Sequence, residues 1–266
     1  MLGQPGGGRW LLLVAVAISA LAFVFVACGD DDDGGGASAE EIAAVEEIFT
    51  QTFESDASNA DFFFEHVTDN LIETVLFSTR EDCMANAEEC IGEPSAVESL
   101  ADTTIDGDTA TLSVTSDFLT LQVGLVREGD VWKVDSAQAL SDEVPEGAAA
   151  VDVSLTEFAF TFDEASIPAD GNLYFHATND GEQPHELAVA PIPADTEDVL
   201  AALESVDEES IVAFKLFIQP GQEVDVALNA PLGPGRYAMV CFFPDRDDPE
   251  GPPHAVKGMV ADFTLE

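Results

Sequence analysis

Four side chains in the C-terminal third of this 266-residue chain, His185, Cys241, His254 and Met259, offer two imidazoles, a thiol and a thioether. Donors of this softness suit first-row transition metals, whereas calcium and magnesium take oxygen. Singly, each has a plainer reading: Cys241 as a small buried hydrophobe, Met259 as a core side chain, His185 and His254 as loop residues. Together they are a candidate mononuclear metal site. The chain has only four histidines, so it cannot furnish the additional His-rich centres that multi-copper oxidases and reductases need.

The elements that must position these residues read as strands. Val151, Val153, Leu155 and Phe158 to Phe162 begin the series, followed by Leu173 to Ala177, Leu187 to Ala190 and Val212 to Ile218. Glu223 to Leu228, Gly235 to Phe242 and Val256 to Leu265 complete it, with Asn, Gly, Asp or Pro in most gaps. Short strands at this spacing predict a sandwich over 151–266. Asp195 to Val206 interrupts it with a short surface helix, capped by Asp195 or Thr196 and apolar at Val199, Leu200, Leu203 and Val206. His176 alternates with Leu173, Phe175 and Ala177 and is expected on the solvated face.

Upstream, 38–140 reads as a separate α+β domain, since the length suits two domains that each bury a core. Ser38 and Glu41 form a capping box before Ile42, Val45, Phe49 and Phe53, which predicts a helix over 39–54. A second helical segment spans Phe62 to Leu76, with Thr68 or Asp69 able to start a new turn. A turn at Ile105 to Asp108, a strand through Ala110, Leu112 and Val114, and a hairpin about Glu128-Gly129-Asp130 follow. Residues 141–150, with Pro145, Gly147 and three alanines, read as a linker. No nucleophile, base and orienting partner can be assembled around His66 and Glu65, so an enzyme is not expected.

The first 27 residues look like an export signal, with Arg9 before an apolar run from Trp10 to Ala27. Phe25-Val26-Ala27-Cys28 resembles a bacterial lipobox, which implies cleavage before Cys28, lipid attachment to its thiol and a lipid-anchored protein on the extracytoplasmic side of the membrane. Residues 28–37, with four aspartates and three glycines in a row, form an acidic, self-repelling tether. In an oxidising exterior Cys83 and Cys90 read as a disulfide, since no nearby His or third Cys accompanies them as metal ligands. Cys241 is then a lone thiol, and such a thiol survives there when buried or bound. With 53 acidic and 8 basic residues the formal charge is -45, which rules out nucleic-acid binding and favours metal cations or a redox partner with a basic patch.

Two further resemblances carry fold and function. The helices-then-strands order, closing on Leu125-Val126-Arg127-Glu128-Gly129-Asp130-Val131-Trp132-Lys133-Val134-Asp135, resembles the α+β cone of nuclear-transport-factor-two-like domains. The order His185, Cys241, His254, Met259 resembles that in which blue-copper proteins supply their ligands. Asn179-Asp180-Gly181 before Pro184-His185-Glu186-Leu187, the Pro220-Gly221 bend, Gly235 to Cys241 and His254-Ala255-Val256-Lys257-Gly258-Met259 share it. This implies a cupredoxin-like Greek-key sandwich with one copper ion: Cys241 the strong thiolate, His185 and His254 the equatorial nitrogens, Met259 the weak axial ligand. Such a set serves both Cu(I) and Cu(II), so the expected function is single-electron transfer or copper holding. The alternative is a metal-free extracellular binding lipoprotein on the same scaffold. Twelve residues separate Cys241 from His254, more than the small electron carriers of that family use, so Asp245 to Pro253 must make an acidic excursion stiffened by Pro252 and Pro253.

Overall fold

The computed structural model describes residues 37–266 apart from 93, 95, 117, 118, 204 and 250, so the apolar leader, Cys28 and most of the acidic tether lie outside the described residues. No helix among the described residues is long and apolar enough to cross a membrane.

Helix α1 (Ala39–Phe53) starts at the expected capping box: Glu41 N donates to Ser38 Oγ at 3.2 Å, and Ser38 N donates to Glu41 Oε2 at 2.9 Å. The next apolar segment forms two helices, α2 (Ala60–Glu65) and α3 (Asp69–Thr74), because the Thr68 hydroxyl caps the second by accepting Leu71 N at 3.1 Å. Between them the backbone pairs with Val134 of the sheet: Val134 N donates to His66 O and Thr68 N to Val134 O. Helices α4 (Arg80–Ala85) and α5 (Ala87–Ile91) were not legible as periodic segments, being too short to show a repeat; they carry the Cys83–Cys90 disulfide, with Cα atoms 5.2 Å apart. The antiparallel sheet β1 (Ser99–Asp106), β2 (Thr109–Ser116), β3 (Leu119–Glu128), β4 (Val131–Ala139) has its strands in sequence order. Its inward side chains, Leu112, Val123 and Leu125 among them, meet Val45, Phe49, Phe63 and Ile72.

Two more four-stranded sheets follow. One is ordered β10-β7-β5-β6, from β5 (Ala149–Thr156), β6 (Ala159–Phe162), β7 (Leu173–Asn179) and β10 (Glu223–Ala227), with β5 and β7 parallel. The other is ordered β12-β11-β8-β9 and wholly antiparallel, from β8 (His185–Ile192), β9 (Ala213–Ile218), β11 (Gly235–Val240) and β12 (Val260–Leu265). Their facing sides share one core: Val153, Phe175 and Val226 of the first meet Leu187, Met239 and Phe263 of the second. Full burial of each such side chain contributes about 1.5–3 kcal/mol. The outer face of the second sheet is also covered, by α6 (Val199–Leu203) within the expected surface helix, so Ala188, Ala190, Ala238 and Val240 are buried there. This is why Leu187 to Ala190 of β8 and Tyr237 to Val240 of β11 read as unbroken apolar runs.

Two boundaries differ from the sequence reading. The expected strand Val256 to Leu265 is split, because Pro253 starts a helical turn, α7 (His254–Lys257), which ends at Gly258 with φ of 121° before β12 begins at Val260. Near the expected linker, β5 begins at Ala149, and Asp142 already holds Lys215 Nζ at 2.5 Å and accepts Ala227 N at 3.0 Å. Gln219 and Gln222 donate to the carbonyls of Ala137 and Ala139, tying β4 to the sandwich, and residues 37–266 hold together as one compact unit.

Candidate metal centre

Antiparallel pairing of β8 with β11 and of β11 with β12 brings the start of β8, the end of β11 and the start of β12 to one end of the sandwich. His185 is the first residue of β8, and Cys241 follows the last residue of β11. The long segment after Cys241 does not carry His254 away. Phe243 O accepts His254 N at 2.9 Å, Pro253 enters α7, and α7 delivers His254 back beside Cys241. Met259 is fixed by backbone bonds to both flanks, its N donating to His254 O at 2.9 Å and its O accepting Cys241 N at 3.3 Å.

The donor atoms converge. His185 Nδ1 and His254 Nδ1 are 3.2 Å apart, Cys241 Sγ is 3.5 Å from His254 Nδ1 and 4.0 Å from His185 Nδ1, and all three residues, with Met259, are buried to 0% exposure. His185, Cys241 and His254 are the cluster among the described residues able to hold a metal ion. With metal bonds of about 2.0–2.1 Å to nitrogen and about 2.3 Å to thiolate, those separations subtend about 103°, 107° and 134° at a common point. Angles of about this size lie between those of a tetrahedral corner and a plane, so the three donors could hold one small cation together.

Each ring turns its second nitrogen toward an oxygen. His254 Nε2 lies 3.2 Å from Gln183 Oε1, and the orientation of that amide is set by Arg246 N donating to the same oxygen and by Gln183 Nε2 donating to Asp245 Oδ1, both at 2.8 Å. His185 Nε2 lies 3.4 Å from Glu157 Oε1, near enough for charge pairing but poorly aligned, so it is buried without a hydrogen bond. With protons on the outer nitrogens, both Nδ1 lone pairs face one another across 3.2 Å, an arrangement that a cation between them relieves.

The electrostatics agree with a site that is uncharged until a cation enters. His185 is drawn down to about 4 by burial and then by His254, against the pull of Glu157. Burial also lowers His254, with Asp245 and Glu157 opposing. Burial first, and the Glu186 charge second, push the Cys241 thiol well above its ordinary value. Cys241 Sγ nonetheless accepts Glu186 N at 3.4 Å, a donor that suits a thiolate. Glu186 itself is raised to about 7 by burial, its Oε1 accepting Phe242 N at 2.6 Å.

Sequence reasoning missed the residues that surround the ligands. Gln183 and Glu186 flank His185 in sequence, and polar residues there, next to an apolar strand, were the available signal. Glu157 and Phe158 come from the tip of the β5–β6 hairpin: the Phe158 ring meets His254 edge-on at 5.0 Å, and Lys257 Nζ lies 5.4 Å over Phe158 while pairing with Asp245. Nothing in their spacing marks them. Asn179 is also fully buried, donating to Gln183 O and Ile218 O and accepting Gly181 N, so it shapes the turn leading into His185. His66 stacks on Phe62 and bonds to its carbonyl at the end of α2, and His176 lies on the outer face of β7, 2.8 Å from Asp225.

No family model matches this chain, and no curated protein matches it. Among solved structures it is similar to auracyanin B, at 17% identity and a TM-score of 0.33, over 48% of this chain and 98% of that one.

Proposed function

We propose that this protein holds one copper ion at His185, Cys241 and His254, with Met259 as the weak axial ligand, in a cupredoxin-like domain over 151–266. The observation that carries the reading is the meeting of two Nδ1 atoms and one thiol, from three separate elements, in a fully buried spot with both outer nitrogens facing oxygens. Two imidazoles with one sulfur favour copper over zinc, which prefers a closed tetrahedron of four strong donors.

Bound copper would supply a one-electron couple. The chain's part is to present His185 and His254 through Nδ1, to keep water from the donors, and to release the Cys241 proton as the cation enters. Donors anchored at the end of one sheet, whose inner face is packed in the sandwich core, move little between oxidation states. The function we infer is single-electron transfer or copper holding without substrate turnover, since four histidines cannot build further copper centres. We read 38–140 as a nuclear-transport-factor-two-like domain, and Cys28 as the lipid-anchored end of a protein facing away from the cytoplasm. A redox partner would carry a basic patch, given the formal charge of -45.

Copper(II) added to the metal-free protein is expected to produce an intense visible thiolate-to-copper band at one equivalent. Persistence of that band in Cys241→Ser would refute the ligand assignment. Detergent partitioning that is lost in Cys28→Ala would support the anchor.

A further inference from the structure

Glu157 occupies a seat built for a carboxylate beside a metal ligand. Its Oε1 accepts the backbone N–H groups of both Glu182 and Gln183 at 2.8 Å and lies 3.4 Å from the fully buried His185 Nε2. The turn that supplies those amides has Gly181 where a side chain would collide: a Cβ there would sit 2.5 Å from Oε1 and 2.8 Å from Oε2 of Glu157. Asn179 holds that turn by accepting Gly181 N at 2.9 Å and donating to Gln183 O at 2.8 Å. A missing Cβ, two converging amides and a buried imidazole nitrogen with no hydrogen bond thus meet at one carboxylate.

The two imidazoles are therefore not equivalent. His254 turns its outer nitrogen to a neutral amide, Gln183, whereas His185 faces a charge. We propose that Glu157 is a positioning residue for His185, fixing the tautomer that presents Nδ1 inward and biasing a bound copper ion toward its dicationic state. The second half rests on the copper reading above; the first does not. A unit negative charge one imidazole away favours Cu(II) over Cu(I), and screening at a carboxylate that is 24% exposed reduces the effect to about tenfold. Tenfold in a one-electron couple is about 59 mV.

Two variants of the full chain test this. Glu157→Gln keeps the shape and removes the charge, and Gly181→Ala leaves Glu157 intact but displaces its carboxylate from the seat. In the metal-free protein, imidazole 15N spectra are expected to show His185 as the Nε2–H tautomer, and a mixture of tautomers in Gly181→Ala. In the copper-loaded protein both variants are expected to retain the visible band and to raise the midpoint potential, Glu157→Gln by about 59 mV, the tenfold loss of Cu(II) preference, and Gly181→Ala by less, since its charge is displaced and not removed. A wild-type His185 protonated on Nδ1, or spectra unchanged by Gly181→Ala, overturns the positioning role. A retained band with an unchanged potential in Glu157→Gln overturns the electrostatic role while leaving the copper site standing. Failure of the wild-type protein to develop the band overturns the copper reading and the electrostatic role together, and the nitrogen spectra still decide the tautomer.

Discussion

Replacing Gln183 by leucine tests whether the shell around the donors matters as much as the donors. The side chain is 7% exposed and makes three contacts at once: Oε1 faces His254 Nε2 at 3.2 Å and accepts Arg246 N at 2.8 Å, while Nε2 donates to Asp245 Oδ1 at 2.8 Å. Leucine has similar volume and none of these groups, so packing is nearly preserved. His254 then loses the acceptor that keeps its proton on Nε2, and the ring becomes free to place a proton on Nδ1, where a metal must displace it. Loss of such an outer partner costs about 10–100-fold in metal affinity, or roughly 1.4–2.7 kcal/mol. Competition with a copper chelator, followed by the visible band, gives the affinity. Gln183→Glu serves as the internal comparison, because it keeps an acceptor for His254 while setting a second carboxylate against Asp245. It should hold copper more tightly than the leucine variant and unfold more easily. Copper affinity within threefold of wild type in Gln183→Leu would refute the reasoning, showing that His254 is oriented by packing against Phe158 alone.

Asn179→Ala should lower stability by about 3 kcal/mol in urea unfolding, since it strands the buried carbonyls of Gln183 and Ile218; a loss under about 1 kcal/mol would contradict the stapling role. Removing the Cys83–Cys90 bridge by double serine substitution should cost about 2.5 kcal/mol for a loop with sequence separation 7, read as a drop in urea midpoint of the metal-free protein. Raising sodium chloride from 0.05 to 1 M should raise the melting temperature by about several degrees, because Arg80, Arg127, Lys133, Lys215, Arg236 and Lys257 already face carboxylates and most acids repel one another unbalanced. A melting temperature that falls with salt would oppose that account. The Asp225 hydrogen bond first, and its charge with those of Asp152 and Glu223, raise His176 above its ordinary value against burial. The stabilisation is then fully present below the unfolded-state value of about 6.5 and fades as pH rises through the higher folded value; at 36% exposure it amounts to about a few tenths of a kcal/mol. His176→Gln should flatten that part of the stability profile.

The cluster of candidate donors was legible because the chemistry restricts which residues can serve. A thiol with no partner, two of four histidines and a methionine had few other uses in an acidic, apolar chain, and their strand-end placement followed from alternating apolar runs. Their surroundings were not legible, because Glu157, Gln183, Asp245 and Asn179 are common polar residues whose roles appear only when a turn, a loop and a hairpin tip meet. The twelve-residue spacing shows the same limit from the other side. Counted along the chain, it could as well have carried His254 into solvent. What returns it is Asp245, only 6% exposed and held down to about 2 chiefly by its hydrogen bond from Lys257, with Gln183 Nε2 and Asp247 N assisting against burial. That carboxylate pins the near end of the excursion to α7 at its far end, so loop length ceases to decide ligand position once the closing contact exists. The short helical turn α7 was unreadable for a related reason: four residues cannot display a helical repeat, and only Pro253 before it and Gly258 after it mark its limits. Residue types at such a centre therefore carry the choice of metal, while the spacing between ligands constrains geometry only through contacts made elsewhere in the fold.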